Sequence, residues 1–197
     1  MIVTKSDVIS ANRYLSTTEQ QINATYIKDA LLAAGWTINA ICGMLGNMQA
    51  ESTINPGIWQ NLTVNTSNGF GLVQWTPATK LIEWCSDNGL DYTDIDAQLA
   101  RINYEAANGV QFYPTDTYPI TFAEFIKSTE SPEYLAGAFL YNYERPAEYN
   151  ITPRQTNART WFTFFGETGD VGTGTEDTTK KRKLPLWLIL TALKKVR

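Results

Sequence analysis

The chain has 197 residues, 43% hydrophobic and 12% aromatic, enough apolar material for one main globular core. It contains no histidine, which excludes the Ser-His-Asp triad, histidine general bases and most zinc sites and leaves proton transfer to carboxyl, Lys, Tyr or Cys groups in perturbed surroundings. The formal charge of −4 is unevenly spread: residues 1–179 carry 9 basic and 20 acidic side chains, a net −11, and the last eighteen positions hold the other seven basic ones. Nucleic-acid binding by so acidic a main body is disfavoured.

At the start of the chain, MIVTKSDVIS lacks the basic region and continuous apolar run of a signal peptide, so export by a secretion signal is not expected. Ser16 to Glu19 reads as a capping box opening a helix that runs to Gly35. Thr37 then caps a second helix, with Ile38, Ile41, Cys42, Leu45 and Met48 at core spacing. Glu51 lies in the last turn of that helix, in line with Met44 and Asn47 and off the core stripe, where GNMQAESTINPG breaks up into turn residues. The partial negative charge of a helix end, together with burial against Trp59 or Trp75, predicts a raised carboxyl pKa, which a general acid working near neutral pH requires. Only NLTVNTSNGFGLVQW reads as extended. Its β-favouring residues flank an Asn-Gly turn signal and predict a small hairpin, with Phe70, Leu72 and Gln74 on one face and Val73 and Trp75 on the other.

Thr76-Pro77, Ser131-Pro132 and Thr152-Pro153 each place a capping hydroxyl before a proline at the first helical position. A helix from about Asp94 to Asn108, ended by Gly109, carries Ile95, Leu99, Ile102 and Ala106 on one side, and Thr121 to Glu124 offers another capping box. Cys42 and Cys85 have neither metal-type nor redox spacing and read as buried thiols of a protein made in a reducing cytosol. No metal is expected, since Asp91, Asp94 and Asp96 come nearest to a carboxylate cluster and read as turn and cap residues. After a main domain at 1–166, the stretch 167–183 reads as a flexible linker and 184–197 as a short apolar helix. The apolar run of that last segment is about ten residues, half of the ~20 needed to span a bilayer. Its apolar residues are not confined to one face, which favours insertion into a partner's pocket.

Glu51-Ser52, followed about twenty residues later by GFGLVQW, resembles the lysozyme-like superfamily, in which Glu-Ser ends a helix and a Gly-x-Gly-Leu-x-Gln strand faces it across a sugar cleft. ICGMLGNMQAESTINPGIWQ, GFGLVQWTP and YNYERP together resemble the tail-tip (tail knob) lysozyme domain of short-tailed bacteriophages, over roughly Thr17 to Gly166. The resemblance implies a mainly α (α+β) fold, a lysozyme-like helical domain with a small β-hairpin flanking the cleft. It further implies a muramidase on a virion tail tip that cuts host peptidoglycan during genome entry without a cofactor. Glu51 would be the catalytic acid, Gln74 the cleft glutamine that orients Glu51 or an N-acetyl group, and Tyr141 or Tyr143 the tyrosine that reaches the catalytic Glu. Phe70 shares the face of Gln74, and Trp59 and Trp75 offer faces for sugar stacking.

Glycoside hydrolases generally pair two carboxyls, yet Ser52 to Ile82 contains none. The second role then falls to the substrate's own N-acetyl group, to Glu144 in YNYERP, to Glu83, or to a water held by Gln74 and Asn55. A single Glu is also the pattern of lytic transglycosylases, and a cleft without chemistry would make a wall-binding protein. The expected partners are peptidoglycan as substrate and a phage tail knob or tube protein that receives Leu184 to Arg197.

Overall fold

The computed structural model describes residues 2–167. The described part is mainly helical, with α1 at Thr17–Ala33, α2 at Ile38–Ser52, α3 at Thr79–Asp87, α4 at Ile95–Asn108, α5 at Phe122–Phe125, α6 at Pro132–Phe139 and α7 at Ile151–Glu167. Local signals set most of these starts. Ser16 and Glu19 cap α1 reciprocally, with Ser16 N donating to Glu19 Oε2 at 2.8 Å. Thr37 Oγ1 accepts from Ala40 N at 3.2 Å to open α2, Asp94 opens α4, and the Thr121–Glu124 box and Ser131 open α5 and α6.

Two expected starts are corrected. Thr76-Pro77 opens no helix, because the Thr76 hydroxyl donates to Gln74 O at 2.9 Å and α3 begins at Thr79 with no side-chain cap. Thr152-Pro153 lies inside the first turn of α7 rather than ahead of it.

The core centres on α2, in which Ala40, Ile41, Cys42, Met44, Leu45 and Met48 are all fully buried. Helices α6 and α7 pack against it more extensively than any other pair of elements packs. Two glycines permit that approach. A Cβ at Gly43 would sit 2.7 Å from Leu135 Cβ on α6, and one at Gly46 would sit 2.9 Å from Ala158 N on α7. Neither spacing leaves room for a methyl group.

The predicted hairpin is not seen. Gly71–Gln74 forms a turn instead, closed by Gln74 N donating to Gly71 O at 3.1 Å, and Phe70 makes isolated antiparallel bridges to Trp59 and to Trp75. Strand geometry is interrupted by positive φ at Asn61 (56°), Leu62 (57°) and Gln74 (48°). The groups a strand partner would have satisfied go to Gln98 on α4: its Oε1 accepts from Leu72 N at 2.9 Å, and its Nε2 donates to Pro56 O at 2.7 Å and Tyr92 O at 2.8 Å. Face alternation is lost with the strand, so Phe70, Leu72 and Val73 are all buried together.

After α6 the chain continues as a wider π-helical turn, Leu140–Glu144, which ends at Arg145 with φ of 48°. Asn142 holds this turn from inside, donating to Tyr118 O at 2.8 Å and accepting from Thr115 Oγ1 at 2.8 Å. Such turns recur at functional sites. Among the described residues no helix is long and apolar enough to cross a membrane. Past Glu167, the expected linker and the Leu184–Arg197 segment lie outside the described residues.

Candidate active site

A cleft of about 680 Å³ opens where four segments meet: the end of α2, the Ile58–Asn61 loop, the Val73–Thr76 stretch and the Tyr143–Ala147 run after the π turn. The first two belong to one block singled out in the sequence, ICGMLGNMQAESTINPGIWQ and the residue after it, and the third and fourth to the other two. Glu51, Trp59, Gln74, Trp75, Tyr143 and Glu144 all line the cleft, although nearly a hundred residues separate the first from the last.

Four other candidates lie elsewhere. Asn55 is fully buried, and its amide ties the N-terminal segment down through Ala11 O and Arg13 O, both at 2.6 Å. It is thus committed to packing and lies outside the cleft lining. Phe70 is buried behind the wall against Trp59, with ring centroids 4.6 Å apart. Tyr141 stacks on Tyr149 at 4.2 Å outside the cleft lining. Glu83, weighed as a second carboxyl, is exposed on α3 and also outside the lining.

Trp59 and Trp75 are 7% and 3% exposed, so they form walls and offer edges where free stacking faces were expected. The exposed aromatic on the cleft is Tyr14, 61% accessible at its mouth, which carried no motif in the sequence. Gln74 adopts a left-handed backbone (φ 48°), and its Nε2 donates to Ile58 O at 3.2 Å and Gly71 O at 3.0 Å. A strained non-glycine residue in a cleft, braced this way, is over-determined by its surroundings.

Behind the cleft wall lies Glu105 of α4, a fully buried carboxylate the sequence reading did not single out. Its Oε1 accepts from Trp75 Nε1 at 3.1 Å and Arg101 Nε at 2.8 Å, and its Oε2 accepts from Tyr143 OH at 2.6 Å. Burial pushes the Glu105 carboxyl up from its ordinary value, and the hydrogen bonds and the Arg101 charge only partly offset that. Burial, then the Glu105 charge, holds the Tyr143 phenol well above its own. The tyrosine that lines the cleft thus spends its hydroxyl on Glu105.

On the opposite side, Glu51 Oε1 accepts from Arg154 Nη2 of α7 at 2.5 Å. No motif marks this cation, which lies 103 positions later in the chain. Glu144 is half-buried, yet its Oε1 is sealed from solvent with no hydrogen-bond partner. Desolvation pushes its carboxyl well above the usual range and the nearby Glu51 charge pushes it further, with Arg154 pulling the other way. The site therefore offers two carboxyls of unlike environment, an amide side chain and aromatic walls. That is the equipment general acid-base chemistry needs.

Fold and cleft together define a lysozyme-like protein, and the sequence comparison agrees: residues 22–165 match the phage tail lysozyme family, so the chain belongs to it. Among individual relatives, it is 55% identical over 164 residues to Morphogenesis protein 1 of Bacillus phage B103. That match covers 83% of this chain and 44% of the relative, so the chain spans less than half of that protein's length.

Proposed function

We propose that this protein is a muramidase of a phage tail, cutting the glycan strands of host peptidoglycan during genome entry. One observation carries the reading: Glu51 and Glu144 share a single cleft, which supplies the second carboxyl missing between Ser52 and Ile82. Membership of the phage tail lysozyme family supports the substrate class and the tail association. In this reading Glu51 is the carboxyl on which the cut depends, Gln74 and Tyr143 shape the sugar site, and Tyr14 supplies a stacking face at its mouth. Leu184 to Arg197 docks the enzyme into a knob or tube protein at the tail tip, where tethering offsets the repulsion between an acidic enzyme and anionic wall polymers.

The test is release of new reducing ends from purified cell walls, followed by mass spectrometry of those ends. Ordinary reducing sugars are expected; anhydro sugars would mark a lytic transglycosylase, and wall binding with no new ends would mark a lectin. Glu51→Gln should lower the rate at least ~100-fold, the scale for losing a group that transfers a proton, with folding unchanged by circular dichroism. A Glu51→Gln protein that still cuts would place the chemistry elsewhere.

A further inference from the structure

Three charged groups meet beside the cleft: Glu51 at the end of α2, Glu144 at the end of the π turn and Arg154 in the first turns of α7. Their pairing is lopsided. Arg154 gives Nη2 to Glu51 at 2.5 Å and Nη1 to Asn150 O at 2.9 Å, while its Nε is buried with no partner. Glu144 Oε1 is also buried with no partner. One cation thus serves one carboxyl and leaves a second, coupled carboxyl with an oxygen that neither water nor a donor reaches. A charge there is disfavoured by desolvation and by its neighbour, and a proton removes both penalties.

We infer that Glu144 is the second catalytic carboxyl of this cleft, that the two carboxyls enter the reaction as a pair with the proton on Glu144, and that Arg154 is the positioning residue that holds Glu51 through their ion pair. The inference rests on the glycan-cutting reading above and deepens it. Each turnover then enters with one acid and one carboxylate already in place. The glycosidic C–O bond breaks and its leaving oxygen takes the pair's proton; water adds its hydroxyl to the anomeric carbon and returns its proton to the pair. The pair ends as it began, so no further reactant is needed.

The groups acting on Glu144 come from every side. Glu51 of α2 and Glu105 of α4 favour its neutral form together with burial, whereas Arg154 of α7 and the adjacent Arg145 oppose it. Two measurements on Glu144→Gln and Arg154→Met test the assignment. In wall-clearing assays across pH, Glu144→Gln should lose at least ~100-fold, although Gln mimics the neutral side chain and a purely structural Glu144 would tolerate it. Arg154→Met should move the alkaline limb of the profile to higher pH, because it removes a cation that favours ionised Glu144.

The second measurement is independent of activity. The folded-state pKa of Glu144 lies above its unfolded value of about 4.3, so wild-type stability is intact below that pH and falls as pH rises through the folded value. Glu144→Gln cannot ionise, so its Tm should pull ahead of wild type as pH rises above that unfolded value. Parallel Tm curves, or a Glu144→Gln enzyme with more than a third of wild-type activity, would overturn the inference. If the Tm curves diverge while wild type itself releases no new ends from walls, the stored proton stands and the glycan-cutting reading fails.

Discussion

Replacing Glu105 by Ala should be among the most damaging single changes in this protein, and the structure lets the cost be worked out. The substitution strips the acceptor from three donors at once: Tyr143 OH at 2.6 Å, Trp75 Nε1 at 3.1 Å and Arg101 Nε at 2.8 Å. Tyr143 is 1% exposed and Trp75 3%, so neither donor can turn to water, and each orphaned group costs about 1–3 kcal/mol. The Arg101 side chain is 15% exposed and can swing partly outward, so its share is smaller. The sum, about 4 kcal/mol, falls within the range for breaking a buried pair by removing one member. Glu105→Gln keeps an acceptor for one of the two aromatics and should cost only about 1–2 kcal/mol. Equilibrium urea unfolding, with the slope m unchanged, reads both values. A Glu105→Ala protein within about 1 kcal/mol of wild type would show that the network is not what holds the cleft wall.

Three further outcomes follow from particular contacts. Gly46→Ala should cost about 1–3 kcal/mol in the same unfolding experiment by forcing α7 off α2, since the added Cβ would lie 2.9 Å from Ala158 N. Burial pushes the Cys42 thiol up to about 12 and the Cys85 thiol up to about 11; a thiol-reactive disulfide reagent at about pH 8 should therefore leave both untouched until denaturant is added. Hydrogen bonding from Arg13, then from Ser16, lowers the Glu19 carboxyl to about 2. Its contribution is present above the unfolded value of about 4.3 and lost as pH falls towards about 2. The Tm gap between wild type and Glu19→Gln should close across that window.

What the sequence disclosed and what it withheld divide by distance along the chain. Ser16, Thr37, Thr121 and Ser131 act on amides three positions away, so their helices could be read directly. The stripe from Ile41 to Met48 is periodic and entirely buried, so α2 was legible as the core helix. Glu51, Gln74 and Glu144 were found through short motifs, and the structure brings them to one cleft. The hairpin failed because Gln98, 26 positions beyond Leu72, satisfies the backbone that a strand partner would have paired. Arg154 and Glu105 were invisible for a related reason: each looks like an ordinary charged position on a helix until α7 and α4 are docked. Asn55 misled in the opposite sense, since a polar residue near a motif suggested the cleft while its amide was committed to the N-terminal segment.

Helix α4 carries its two buried polar anchors, Gln98 and Glu105, seven residues apart, so both project from the same face two turns from each other. Gln98 grips the 56–72 stretch at one end, and Glu105 grips Trp75 and Tyr143 at the other. The helical rise over that interval, about 10.5 Å, therefore works as a measuring rod for a wall that has no sheet to give it dimensions. The cleft's gauge is stored in a helix that contributes no lining residue of its own. The lining residues of the cleft can vary in kind while the opening keeps its size, but one residue inserted between Gln98 and Glu105 would swing the second anchor by about 100° and leave the wall without a fixed length.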